Sequence, residues 1–201
     1  MKISKHAVSA GIIGIIIGGI IVLGIRFFTY HPDMPHYHAN FALYINGERE
    51  TFEGPGYYEE VSGSCAAGKD ITPPQRVHMH DNVSDVVHVH DYAATWGHFF
   101  QNLRWSVGRD YIKTPTEMYV ADEENKVAFL LNGRPMDDIS NETIQSGDRL
   151  LIDFGTTSEV TLQKRMKAIA NNAQEHNHAA DPAACMGAHQ VTWKDRLKHL
   201  F

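Results

Sequence analysis

Val77-His78-Met79-His80-Asp81-Asn82-Val83-Ser84-Asp85-Val86-Val87-His88-Val89-His90-Asp91 is the stretch on which the reading of this chain turns. Two His-x-His pairs flank a short polar segment. On a strand, side chains two apart share one face, and the Asn82 to Asp85 segment suits a turn between two strands. The register of that hairpin decides what the histidines can do. If paired residue numbers sum to an even value, His78 faces His88 and all four imidazoles point the same way. An odd sum sends the two pairs to opposite faces. Met79 and Val89 alternate with the histidines and are expected to face a core.

A first-row transition ion bonds imidazole nitrogen at about 2 Å, and three or four of His78, His80, His88 and His90 could surround one. His36 and His38 lie upstream on another alternating stretch, Tyr37-His38-Ala39-Asn40-Phe41-Ala42-Leu43-Tyr44-Ile45, and complete the candidate ligand set. There Tyr37, Ala39, Phe41, Leu43 and Ile45 are expected to face the core, with His36, His38 and Asn40 on the other face. Asn46-Gly47 ends the stretch with a hairpin signal. Asp81 and Asp91 each follow a His-x-His pair and could orient an imidazole or bind directly. The plainer alternative is an exposed His-rich strand face that titrates near neutral pH. All-imidazole sites suit zinc, copper or nickel, with nearby Met and Cys leaning toward copper; zinc or copper is the expected cofactor.

The remainder frames this segment. Residues 93–105 read as a helix that Thr95 can cap, with Trp96, Phe99, Phe100 and Leu103 at helical spacing. Strands are expected at 117–121, Lys126–Leu131 and 150–154, with Asn132-Gly133 as a second turn signal. Residues 158–172 read as a helix capped by Ser158, striped by Val160, Met166 and Ile169. Beyond it, 174–189 is small and polar with His176, His178, Cys185, Met186 and His189, either a metal-collecting tail or a plain polar one. A short amphipathic helix closes the chain. His98 is expected to be a helix-surface residue. The fold class is therefore α+β: an N-terminal apolar helix, a small mixed or antiparallel sheet with a packing helix, and a C-terminal helical tail. The divisions fall at residues 1–30, 31–155 and 156–201.

Residues 7–25 are uncharged and rich in Ile, Gly, Val and Leu. A helix rising about 1.5 Å per residue needs roughly 20 residues to cross the hydrocarbon core. The run suits an uncleaved anchor; the alternative is a signal peptide, although Ile25-Arg26-Phe27-Phe28 is a poor cleavage context. Lys2 and Lys5 against Arg26 put the N-terminus in the cytoplasm and the body of the protein outside. The chain has 201 residues, 43% hydrophobic content and a net charge of −6, so it carries no basic footprint for nucleic acid. Cys65 and Cys185 are the only cysteines and could pair or stay as thiols. No Gly-x-Ser-x-Gly elbow, phosphate loop or His-Glu-x-x-His helix is present.

In order along the chain stand His36-Tyr37-His38-Ala39-Asn40-Phe41, Tyr44-Ile45-Asn46-Gly47, Val86-Val87-His88-Val89-His90, Thr95-x-Gly97-x-Phe99-Phe100, and Leu131-Asn132-Gly133 followed by Ser146-Gly147-Asp148-Arg149-Leu150. This series, over about residues 36–155, resembles uncharacterised membrane-anchored extracytoplasmic His-rich proteins of little-studied bacteria and archaea. The resemblance implies the architecture and no particular activity. The function expected from the residues is membrane-anchored extracytoplasmic binding of a transition metal, for capture or sensing, with the metal and the membrane as partners. A metal-dependent hydrolase or oxidoreductase and a pH-responsive interaction module are the alternatives.

Overall fold

The computed structural model describes residues 5–30, 35–58, 73–80, 82–177 and 193–200. Its contacts divide into two compact units, residues 34–189 and residues 1–33 with 190–201.

The larger unit is built on a seven-stranded mixed sheet. Its strands are β1 (Tyr37–Ile45), β2 (Glu48–Arg49), β3 (Val77–His78), β4 (Val86–Val89), β8 (Lys126–Leu131), β9 (Arg134–Met136) and β10 (Arg149–Gly155). They run in the order β3-β4-β1-β10-β8-β9, and β2 pairs with the end of β1. β1 and β10 are parallel neighbours, with Phe41 beside Leu150 and Leu43 beside Ile152. The other pairings are antiparallel. β5 (Ser106–Gly108), β6 (Tyr111–Lys113) and β7 (Met118–Val120) form a separate antiparallel sheet. The strand expected at 117–121 belongs to it, and Lys126–Leu131 is a strand as the sequence predicts.

Both Asn-Gly signals make two-residue hairpins. Ile45 pairs with Glu48 around Asn46 and Gly47, whose φ values of 51° and 94° are those of a type I′ turn. Leu131 pairs with Arg134 around Asn132 and Gly133 in the same way.

Alternation along the strands gives the sheet two different faces. Tyr37, Ala39, Phe41 and Leu43 of β1, with Val77, Met79, Val87, Val89, Phe129, Leu150 and Ile152, pack on one side against Trp96, Phe99 and Phe100. These aromatics come from helix α3 (Trp96–Asn102), which follows the tiny helix α2 (Pro73–Arg76). Thr95 caps α3, and His98 completes the cap, its Nδ1 accepting from the Thr95 N–H at 3.2 Å. Gly97 lies so close to Ser140 that a Cβ there would collide with the Ser140 carbonyl.

On the opposite face Ala42, Leu130 and Leu151 are covered by Leu162, Met166 and Ile169. The first two belong to helix α4 (Glu159–Ala168), capped by Ser158 as expected. The apolar stripe runs 162, 166, 169 at helical spacing, which leaves Val160 exposed rather than packed. Ile169 leaves helical geometry with ψ 135°, and a new short helix, α5 (Ala173–Asn177), follows. The one helix expected over 158–172 thus ends at Ala168, and residues 169–172 separate it from the second helix, which begins at Ala173.

In the smaller unit, helix α1 (Lys5–Thr29) contains a span, Gly11–Thr29, long and apolar enough to cross a membrane, a property shared with signal sequences. Helix α6 (Trp193–Lys198) rests on its end. Arg196 Nη1 donates to the carbonyls of Phe27 (2.7 Å) and Phe28 (2.9 Å), acceptors that a helix end leaves without an intrahelical donor. Tyr30 and His199 stack with centroids 4.3 Å apart.

Candidate metal centre

The hairpin register is the even one. Val77 pairs with Val89 and His78 with His88, while across β4 the same His88 pairs with His38 of β1. Three strands therefore place His78, His88 and His38 in one row on one face. His36, His80 and His90 stand beside that row. The His88 ring is the hub, with centroids at 4.3 Å from His80, 4.4 Å from His38 and His90, 4.6 Å from His36 and 5.0 Å from His78. All six histidines named from sequence are thus brought together.

This face is not open to solvent. His38, His78, His88 and His90 are each 5% exposed or less. Over the β1 end of this face lies α5, in the stretch that reads from sequence as a polar tail. Asn40, on the same face as His38, takes the Ala173 N–H on its Oδ1 (3.0 Å) and donates to Asn172 Oδ1 (2.8 Å). Asn177 Oδ1 accepts from both the backbone N–H and ring Nδ1 of His38, each at 2.8 Å. His176, one residue earlier, then comes to 5.6 Å of the His38 ring. A cavity of about 40 Å³ lies between His38, His80, His88, His176, Val83 and Val86. His176 is expected from sequence only as part of a possible metal-collecting tail, and nothing periodic links it to the strands it joins here.

Hydrogen bonds fix which nitrogens face inward. The amide oxygen of Asn177 can only accept, so His38 carries its proton on Nδ1 and turns a lone pair on Nε2 toward the cluster. Asn177 Nδ2 donating to Ser146 Oγ (3.1 Å) supports that amide orientation. His78 is held similarly: its Nδ1 lies 2.9 Å from the carbonyl oxygen of Pro74, which leaves Nε2 as the acceptor. Metal-binding histidines are commonly oriented by such an outward N–H bond to a carbonyl. His38 Nε2 in turn lies 3.1 Å from His88 Nδ1, and His80 Nε2 approaches the same atom. His88 Nε2 is buried with no hydrogen-bond partner among the described residues.

Burial sets the charge of the cluster. It pushes the His38 pKa down to about 4, the Asn177 bond opposing and His36, His176 and His80 reinforcing the shift. His88 is driven further down, by burial first and then by His90, His78, His38 and His80. Neutral imidazole is the form that binds metals.

Two groups could hold a metal ion: His36, His38 and His88, and His78, His88 and His90, the ligand atoms in each lying within 4.8 Å of one another. Three nitrogens about 2 Å from one ion would be somewhat closer, roughly 3.3 Å apart in a tetrahedral arrangement, so a small inward movement suffices. Of the carboxylates suggested from sequence, Asp91 is taken by Arg76 (2.6 Å) and the Ala93 N–H (2.7 Å); nearby, Asp85 meets Arg49 (3.4 Å). Asp81, Cys65, Cys185, Met186, His178 and His189 lie outside the described residues. Fold and site together define a mixed α+β sheet with a buried polyhistidine cluster on one face. The chain matches no protein family, and comparisons with curated proteins and with solved structures give no match.

Proposed function

We propose that this chain is a membrane-anchored extracytoplasmic protein that binds a transition metal, zinc or copper, in its histidine cluster and serves to capture or sense it. The observation that carries the reading is the row His78, His88, His38, buried and oriented by outward bonds to Pro74 and Asn177. His88 Nε2 is buried with no hydrogen-bond partner among the described residues, and a polar atom that loses water without gaining a partner is unfavourable. An ion would bond that nitrogen. The cavity beside His176, about 40 Å³, has room for about one water and is far below the ~300 Å³ at which small-molecule pockets begin. That favours holding an ion over turning over a substrate.

The anchor would be α1. Lys2 and Lys5 before it, against Arg26 near its end, favour a cytoplasmic N-terminus and an external histidine domain. The resemblance to membrane-anchored extracytoplasmic His-rich proteins agrees with that placement.

The test is elemental analysis of the full chain purified in detergent, compared with a His78→Ala/His88→Ala variant. Stoichiometric zinc or copper in the native chain, lost in the variant, is expected. A native chain that neither retains nor takes up either metal would overturn the reading. Protease added to intact cells should digest residues 34–189, and their protection would reverse the topology.

A further inference from the structure

His88 belongs to both candidate triads, yet one nitrogen cannot serve two ions at once. The ring has two nitrogens, on different edges, and the surroundings of each differ. Nδ1 is on the side of β1, 3.1 Å from His38 Nε2 and in contact with His80 Nε2. Nε2 is buried without a hydrogen-bond partner among the described residues. The flanking strands contribute His38 and His78, both paired with His88 in register and both with Nδ1 turned outward to an oxygen. Each flank thus offers an imidazole whose Nε2 lone pair points back toward the cluster.

We infer that His88 bridges two metal ions, one held with His36 and His38 through Nδ1, the other with His78 and His90 through Nε2. The inference rests on the metal-binding function proposed above and deepens it. A single ion shared by both triads is the competing arrangement. β1 and β3 are two strand spacings apart, roughly 10 Å, with the His88 ring standing between them. One ion taking both triads would need five imidazoles, His36, His38, His78, His88 and His90, around it, more than the four ligands of an ordinary tetrahedral site.

The chemistry balances without any redox step. Neutral His88 has one N–H and one lone pair. The first ion takes the lone pair; the second displaces the remaining proton, which passes to solvent, and forms a bond to the nitrogen that carried it. The resulting imidazolate is negative and lies between two cations, which offsets part of their repulsion in a buried setting. The two ions are not equivalent. The β1 side also has His80, His176 and the small cavity, so its ion has room for a water or a further imidazole.

Copper(II) titration of the metal-free full chain in detergent, followed by metal counting and electron paramagnetic resonance, decides the matter. Two ions per chain are expected. The spin signal should grow with the first and then fall below the one-ion level with the second, because an imidazolate bridge couples the two spins in opposition. Uptake of no copper or zinc would overturn the proposed function itself. Uptake of a single ion, or of two with additive signals, would overturn the bridge and leave metal binding standing. His36→Ala/His38→Ala should retain one ion with an uncoupled signal; retention of two coupled ions in that variant would equally overturn the assignment. If His88→Ala fails to fold by circular dichroism, the native titration still decides.

Discussion

His78 and His88 face each other across the β3–β4 pair with their rings stacked, centroids 5.0 Å apart and planes 12° from parallel. Two imidazolium rings would repel at that distance, whereas two neutral ones can share an ion. The arrangement ties the cluster to its protonation state.

Acid should therefore loosen the metal-free protein. The His38 pKa is about 4 in the fold, against about 6.5 in an unfolded chain. Between those values the unfolded chain binds a proton that the folded chain refuses, so stability is full above about pH 6.5 and is lost as pH falls toward 4. At about 1.4 kcal/mol per unit, His38 alone contributes on the order of 3 kcal/mol, and His88 adds to the same trend. Urea midpoints of the metal-free chain at about pH 7 and pH 4.5 check this. A flat profile across that window would contradict a buried neutral cluster.

Asn177→Ala should weaken metal binding by about 10–100-fold, the usual effect of losing the group that orients a histidine ligand. Competition against a chromophoric chelator measures it. Unchanged affinity would mean that the bond from His38 Nδ1 to Asn177 does not set the ring.

The two faces of β3 predict opposite variants. Met79 is fully buried in the aromatic core, and Met79→Ala should cost about 2–5 kcal/mol with the metal site intact. His78→Ala should reduce metal uptake and cost the metal-free fold less than Met79→Ala does. Denaturation curves with parallel metal analysis separate the two; equal losses of stability would contradict the division of faces.

Arg165 carries a structural charge pair unrelated to the histidines. It meets Asp153, a carboxylate 1% exposed in β10, and stacks over the Tyr44 ring at 4.3 Å. Arg165→Ala leaves that carboxylate buried without a counter-charge, held only by the Thr157 hydroxyl, which should cost about 3–5 kcal/mol. Adding Asp153→Asn should recover part of the loss in a double-mutant cycle, and full additivity of the two changes would show that they do not interact.

Period-two alternation was legible from Tyr37 to Ile45 because Tyr37, Ala39, Phe41 and Leu43 keep to one face while His38 and Asn40 take the other, and both Asn-Gly turns have the backbone angles that Asn and Gly tolerate. The histidine register could be reduced to two cases from sequence, and pairing across β3 and β4 selects one. What the sequence did not reveal was the cover. Alternation says which side chains share a face and is silent on what lies over that face. The parallel pairing of β1 with β10 joins segments about a hundred residues apart, and no local signal encodes it. Asn40 was the available clue, an amide on an otherwise apolar strand that needs partners once buried. Its partners, Asn172 and the Ala173 N–H, are what bring His176 to the cluster.

The hold of Asn40 and Asn177 on α5 also governs time. An ion held beside His38, as proposed, would be released only when α5 lifts from β1. Four short polar contacts set how often that happens. The residence time of such an ion would then be set by a five-residue helix rather than by the imidazoles, and could change without altering any of them.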